Sequence, residues 1–304
     1  MAQAQNILLR QGSCEISSED LAYIHRFIAR FPGLTRYELV CTLCEHLDWV
    51  TPAGSPKYPA GHALLAQLER AGEIVLPARV KSAQNTIGKH WRCRPNAQVS
   101  AGRLLRCSLS ELAPVRLRFL NEADEQDLFN AYLERFHPLG YRRPFGFFAR
   151  YFIEAADQCL GCVLVAGAAR AIAARDQHIG WSVEQRRRNL PWVVNNSRFL
   201  IFPWVEVAHL ASHVLGQLAR QLADDWQRRW EFRPLLLETF VDPVHYRGSC
   251  YRGAGWELLG RTSGQGLARP GKHYRSSPKL IFVKPLHRQW RQSLCSDKRQ
   301  QRGQ

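Results

Sequence analysis

No run of about eighteen or more apolar residues occurs in the 304-residue chain, which excludes a membrane-spanning helix and leaves no membrane among the expected partners. The opening residues, MAQAQNILLRQG, lack the basic head and apolar stretch of a secretory signal, so the expected location is the cytoplasm. The nine cysteines are odd in number and scattered from Cys14 to Cys295. They form no dense disulfide framework, and reduced thiols are expected. Two CxxC pairs, Cys41/Cys44 and Cys159/Cys162, have the spacing of zinc ligands. Cys41 and Cys44 fall on the apolar face of a helical pattern, however, and Cys162 opens a strand-like run.

Acidic side chains are also scarce, with 26 Asp and Glu against 42 Lys and Arg, giving a formal charge of +16. A field of that sign draws polyanions, and DNA is the expected partner. Residues 1–95 hold 11 basic and 8 acidic side chains, whereas residues 96–304 hold 31 and 18. The excess lies in the second part, so that part is expected to touch the anion itself.

The pattern along the chain predicts two domains. Ser17-Ser18-Glu19-Asp20 precedes LAYIHRFIARF, a helical apolar spacing, and Thr35-Arg36-Tyr37-Glu38 reads as a capping box for a second helix. AGHALLAQLERAG gives a third helix ended by Gly72, and EIVLPARV and HWRCRP read as two strands. Three helices and a β-ribbon form a winged helix-turn-helix-like domain over 1–95, whose candidate DNA contacts are Lys57, His62, Arg70, Arg79 and Lys81. Residues 96–115 read as a linker, 116–286 as an α/β domain, and 287–304 as a loose basic tail. Within the α/β part, NEADEQDLFNAYLERFHPLG is a helix, GCVLVAGAARAIAARDQHIGW reads as strand, turn and strand, and Ser182 to Gln185 caps a short helix. The centre runs strand, long helix, strand, short helix and strand from Arg198 to Gly266, and SPKLIFVKPL adds a further strand.

Several long blocks resemble a known family. ARDQHIGWS, NLPWVVNNSRFLIFPWVEVAHLASHVLG, DDWQRRW and PLLLETFVDPVHYRGSCYRGAGWELLGRTSGQG, with LLAQLERAGEIVLP upstream, are similar to the Druantia anti-phage system protein DruA family. Its members also accompany transposases in mobile elements. The strand and helix order, with CYRGAGWELLG, also resembles the GNAT acetyltransferase fold, a mixed sheet with flanking helices. That resemblance implies that Tyr251 stands where those enzymes often place a tyrosine general acid. It also implies a pyrophosphate site at the start of the long helix. There the expected Arg/Gln-x-x-Gly-x-Gly/Ala is Glu206-Val207-Ala208-His209-Leu210-Ala211, and a carboxylate and a bulky His209 make acetyl-CoA disfavoured.

The remaining candidates are chemical. Glu238 and Asp242, four residues apart in a run of strand character, suggest Mg2+ held by paired carboxylates if a bend before Pro243 brings them together; otherwise Glu238 ligates with Asp176 or acts alone, and all of these stand as catalytic candidates. Tyr246 and Tyr251 each precede an arginine, Arg247 and Arg252, the pairing a DNA-nicking tyrosine needs. Asn195, Asn196 and Arg198 carry base-edge and phosphate donors, and Arg187, Arg261 and Lys272 lie in basic stretches suited to a backbone. The leading expectation is a DNA-binding protein of a mobile element or anti-phage locus that cleaves phosphodiesters or transfers strands, alongside a transposase, helicase or other defence-system subunit. A winged-helix-linked N-acetyltransferase and a non-catalytic DNA-end adaptor are the alternatives.

Overall fold

The computed structural model describes residues 7–11, 14–30, 36–47, 49, 57–76, 97–121, 123–144, 146–156, 158–264 and 277–297. Two compact units emerge, one of residues 1–89 with 145–147 and one of 90–144 with 148–304.

The first unit opens on an antiparallel pair, β1 (Ile7–Gln11) and β2 (Cys14–Ser17), followed by helices α1 (Ser18–Arg30), α2 (Arg36–His46) and α3 (Tyr58–Arg70). The hairpin precedes the helices and was not foreseen. Ser17 and Asp20 cap α1 reciprocally: the Ser17 hydroxyl accepts from the Asp20 amide at 3.1 Å, and the Ser17 amide donates to the Asp20 carboxylate at 3.1 Å. The buried Tyr23, Ile24, Phe27 and Ile28 then recur at helical spacing. Helices α2 and α3 touch closely at Gly61, where an added Cβ would come within 2.8 Å of the Cys44 sulfur, and Arg36 pairs with Glu69 at 3.0 Å. Cys41 and Cys44 are fully buried in this helix contact. Of the strands expected of a wing, Glu73 to Leu76 of the first are described and form no strand, and the rest of it, the second strand and Thr35 of the expected capping box lie outside the described residues.

The second unit is built on a seven-stranded sheet. Its strands are β4 (Val115–Phe119), β5 (Phe148–Ala155), β6 (Gln158–Gly167), β7 (Val193–Ile201), β9 (Leu236–Val241), β10 (Glu257–Arg261) and β11 (Leu280–Pro285), in the order β10-β11-β9-β7-β6-β5-β4. Two short strands, β3 (Leu105–Cys107) and β8 (Val205–Val207), pair in parallel beside it. Helix α5 (Ala123–Phe136) packs Phe129 and Tyr132 on Phe152 of β5. The long helix α8 (Leu210–Trp230) joins β7 to β9 and buries Val214, Leu215, Leu218, Leu222 and Trp226. Its Gln217 and Gln221 amides donate to the carbonyls of Val115 and Leu117, at 2.7 and 3.1 Å. Those carbonyls belong to edge strand β4, so the helix satisfies groups that would otherwise invite a foreign strand.

Three segments differ from the sequence expectation. AIAARDQHI forms α6 (Ala173–Ile179), not a strand, because its Ala, Arg and Gln favour helix and Gly180 ends it in the left-handed region at φ 83°. The supposed linker 96–115 contains β3 and the single turn α4 (Leu109–Leu112), held by a Ser108/Glu111 capping box. The supposed loose tail contains α10 (Trp290–Leu294). The buried Asn189, at the end of α7 (Val183–Asn189), donates to the carbonyls of Leu294 and Ser296, both at 2.9 Å. The box expected at Ser182 and Gln185 does cap α7. Among the described residues, no helix is long and apolar enough to cross a membrane.

Candidate functional site

Among the described residues, strands β7 and β9 are the only parallel neighbours in the large sheet, and they pair over three residues alone: Val193, Val194 and Asn195 against Leu236, Leu237 and Glu238. Beyond that point the strands part. A bulge contributes to the divergence: Leu164 faces Arg198 while Val165 faces Asn196, so Ser197 is an extra residue in β7. The first unpaired residues are bridged by side chains, the Thr239 hydroxyl donating to the Asn196 carbonyl at 3.0 Å. The result is a fork that opens toward the carboxyl ends of two parallel strands.

Tyr251, on α9 (Ser249–Gly253), reaches this fork. Its hydroxyl accepts from the Asn196 side-chain amide at 3.2 Å, and its ring stacks on Phe282 at 5.5 Å and meets Trp256 at 5.1 Å. Burial pushes the phenol well above its ordinary range, so the hydroxyl keeps its proton. A group of that kind can donate a proton or a hydrogen bond, but it is poorly suited to attack phosphorus as a phenolate.

Helix α8 starts at the same end. His209 precedes it in the left-handed region at φ 63°, and its carbonyl accepts from the His213 amide. The amides of Leu210, Ala211 and Ser212 lie ahead of the first intrahelical bond, as the opening amides of any helix do. Ser212 also lies beside Gly253 of α9, where an added Cβ would approach it to 3.3 Å. The Glu206 carboxylate, expected to repel an anion here, is engaged by Arg106 of the neighbouring strand, whose Nε donates to it at 2.8 Å. His209 is exposed. Both objections to an anion at this helix end are thereby weakened.

The expected carboxylate pair is not assembled. Glu238 is wholly buried, accepts from the Ala169 amide at 2.8 Å and pairs with the equally buried Arg175 at 2.9 Å. Asp176 joins the same arginine at 2.8 Å and also accepts from Trp181 and Arg186, at 3.1 and 3.0 Å. Asp242 lies past the end of β9 and is taken up by Lys279 at 3.1 Å, Ser277 and the Val244 amide, which hold its carboxyl below the usual range. Glu238 pairs across from Asn195, while the adjacent Asn196 meets Tyr251, so alternation places Glu238 and Tyr251 on opposite faces of the sheet. Among the described residues, no three His, Cys, Asp or Glu side chains gather to hold a metal. Sequence reasoning missed Arg175, which turns two presumed metal ligands into its own counter-ions. Alternating strand register with a buried arginine nearby was the signal available.

The nucleic-acid candidates scatter. Lys57 precedes α3, and Arg70 is exposed in its last turn with its Nε on the Ala66 carbonyl. Arg187, Arg247, Arg252 and Arg261 are exposed, with Arg252 lying over the Phe282 ring at 5.4 Å. Asn195 and Asn196 sit within β7, not in a turn, and Asn196 is buried. Arg198 donates to the carbonyls of Gly140 and Ser197. Arg79, Lys81 and Lys272 lie outside the described residues.

A family model described as Druantia protein DruA matches residues 73–270, more than half of the chain. No curated protein matches by sequence. Among solved structures, a Bacillus subtilis acetyltransferase in complex with CoA matches at 11% identity, covering 56% of this chain and 98% of that one, with a TM-score of 0.32. Aminoglycoside acetyltransferase AAC(6')-Ib in complex with paromomycin and acetyl-CoA matches at 18% identity, covering 60% and 99%, with a TM-score of 0.35. An aminoglycoside N(6')-acetyltransferase from Legionella pneumophila matches at 9% identity, covering 57% and 92%, with a TM-score of 0.31.

Two expectations are corrected. DNA cleavage or strand transfer through Glu238, Asp242 and Tyr251 gives way, because the sheet separates Glu238 from Tyr251 and Arg175 neutralises Glu238. The view that acetyl-CoA is disfavoured also gives way, because Arg106 already engages the Glu206 carboxylate that was expected to repel the pyrophosphate.

Proposed function

The chain belongs to the Druantia protein DruA family, and from that premise we propose that its larger unit is an acyl-CoA-dependent N-acyltransferase. The observation that carries this reading is the β7/β9 fork with the Tyr251 hydroxyl in it and the start of α8 at the same end. Ligands of open α/β sheets settle outside the carboxyl ends of parallel strands where the connections diverge. A helix start there offers backbone amides to a phosphate. The amides of Leu210, Ala211 and Ser212 would hold the pyrophosphate, and the Ala208 and Ala211 side chains are small enough to let it approach. Bound acyl-coenzyme A would supply the activated acyl group as its thioester. Tyr251, kept protonated by burial, would give its proton to the departing sulfur as the amine nitrogen bonds to the acyl carbon, and the proton lost by the amine would restore the phenol.

Coenzyme A should therefore stabilise the full chain against heat. At one hundred times its dissociation constant, about 2.7 kcal/mol of linkage is expected, or roughly 5–10 °C in Tm. An unchanged Tm with millimolar coenzyme A and acetyl-CoA would remove this reading.

The helical unit supports a separate reading. Its three helices follow one another in winged-helix order, and α3 carries the exposed Arg70 with Lys57 just before it. Duplex DNA is the partner this surface suits. Lys57→Ala and Arg70→Ala should each weaken duplex binding and lower the slope of log affinity against log salt by about one. Identical slopes in wild type and both variants would dismiss the contact.

A further inference from the structure

We infer that the sheet face opposite Tyr251 carries a phosphate-binding recess formed by Arg142, Arg150 and Arg198 beneath the loop that follows α5. The recess is independent of the acyl-CoA reading. Arg150 of β5 faces Leu164 of β6, and Leu164 faces Arg198 of β7, so the two arginines stand in one row on one side of the sheet. The loop after α5 closes over that row: Tyr141 accepts from the Arg150 guanidinium at 3.1 Å, and the Gly140 carbonyl accepts from Arg198 at 3.0 Å. Arg142 is the next residue along the same loop and is exposed.

Among the described residues, no carboxylate pairs with Arg142, Arg150 or Arg198. Glu134, on α5 beside Gly140, is directed to the backbone, accepting from the Tyr141 amide at 2.8 Å. Arg150 is 5% exposed and donates only to the neutral Gln126 and Tyr141 side chains, while its Nε has no partner. Its guanidinium lies over the Phe148 ring at 4.6 Å, which offers weak compensation for a buried charge. His137 stays neutral, its pKa lowered to about 4 by burial and by Arg198, and its Nδ1 accepts the Leu139 amide, so the ring proton sits on Nε2 as a further donor. Buried cations are ordinarily matched. Two guanidiniums without a carboxylate, with the Arg150 Nε unpartnered and the exposed Arg142 at the rim, fit a tetrahedral anion bearing more than one negative oxygen.

The ligand is thus a phosphate group, carried either by a phosphomonoester or by a nucleic-acid backbone. The test titrates the full-length protein with inorganic phosphate by calorimetry and with a fluorescent single-stranded oligonucleotide by anisotropy. Wild type is compared with Arg142→Gln, Arg198→Gln and the charge-matched control Arg116→Gln, whose arginine is exposed on β4. Arg142→Gln and Arg198→Gln should bind about tenfold more weakly than wild type, and Arg116→Gln should not. A loss confined to inorganic phosphate assigns the recess to phosphomonoesters, and a loss in the oligonucleotide arm assigns it to nucleic acid. Equal losses in all three variants would mean bulk charge, and absence of wild-type binding in both arms would mean no site. Either result overturns the proposal. Arg142 is exposed, so its variant stays folded even if Arg198→Gln does not.

Discussion

Replacing Glu238 with alanine should lower the stability of the larger unit by about 3 kcal/mol, because the substitution strands the fully buried Arg175 guanidinium. For a unit of this size that corresponds to a fall of roughly 6–12 °C in Tm, readable by differential scanning calorimetry. Glu238→Gln should fall between, since its amide oxygen can still accept from Ala169 while the arginine loses its ionic partner. The paired change Arg175→Met with Glu238→Leu should recover most of the loss, as buried ion pairs can often be exchanged for apolar residues of like volume. Asp176 limits that recovery, because it would lose its Arg175 contacts and keep those to Trp181 and Arg186. A Glu238→Ala protein as stable as wild type would show that the Arg175 charge is satisfied by Asp176 and the Ala169 carbonyl alone.

The same network bears on how a loss of activity at Glu238 is to be interpreted. A carboxylate four residues from a second one in a run of strand character looks, in sequence, like a metal ligand. In the folded chain it is one end of a clamp that ties α6 to β9. Activity lost at Glu238 therefore tracks with melting temperature, and measurements of turnover should be made well below the variant's Tm.

Much of the second unit was legible because its elements are long and strongly patterned. The buried run of β7, the 21-residue α8 and the α9 turn before β10 all follow from apolar spacing with glycine punctuation. Elements fixed by pairing, not by local pattern, were less visible. The short strand β3 exists because β8 lies beside it, and α10 is held by the side chain of Asn189, 105 residues from its Leu294 partner. Site residues divided similarly. Tyr251 could be singled out from a local motif, whereas its partner Asn196 and the Thr239 hydroxyl bonded to the Asn196 carbonyl come from two other strands. The bulge at Ser197, which places Asn196 and Arg198 on opposite faces, has no local signature, since strict alternation would have put both on one face. The engagement of Glu206 by Arg106 spans 100 residues and weakens the charge part of the argument against an anion there.

Removing one oxygen from Tyr251 should have the largest effect on turnover. Tyr251→Phe keeps the ring that stacks on Phe282 and Trp256, so the fold should survive with a cost of about 1–3 kcal/mol for the unpartnered Asn196 amide. If the hydroxyl gives a proton to the departing thiolate, kcat with acetyl-CoA should fall by about 100-fold or more, while stabilisation by coenzyme A persists. Because burial raises the phenol well above its ordinary value, wild-type turnover should show no loss from tyrosine ionisation at neutral or mildly alkaline pH. Asn196→Ala offers an independent check: it removes the amide that orients the hydroxyl but leaves the proton in place, so its kcat should lie between wild type and Tyr251→Phe. The competing outcome is equally distinct. If Tyr251→Phe turns over like wild type while coenzyme A still raises Tm, the fork binds the cofactor and its proton leaves by another route. The buried hydroxyl would then serve only to hold β7 at the point where it parts from β9.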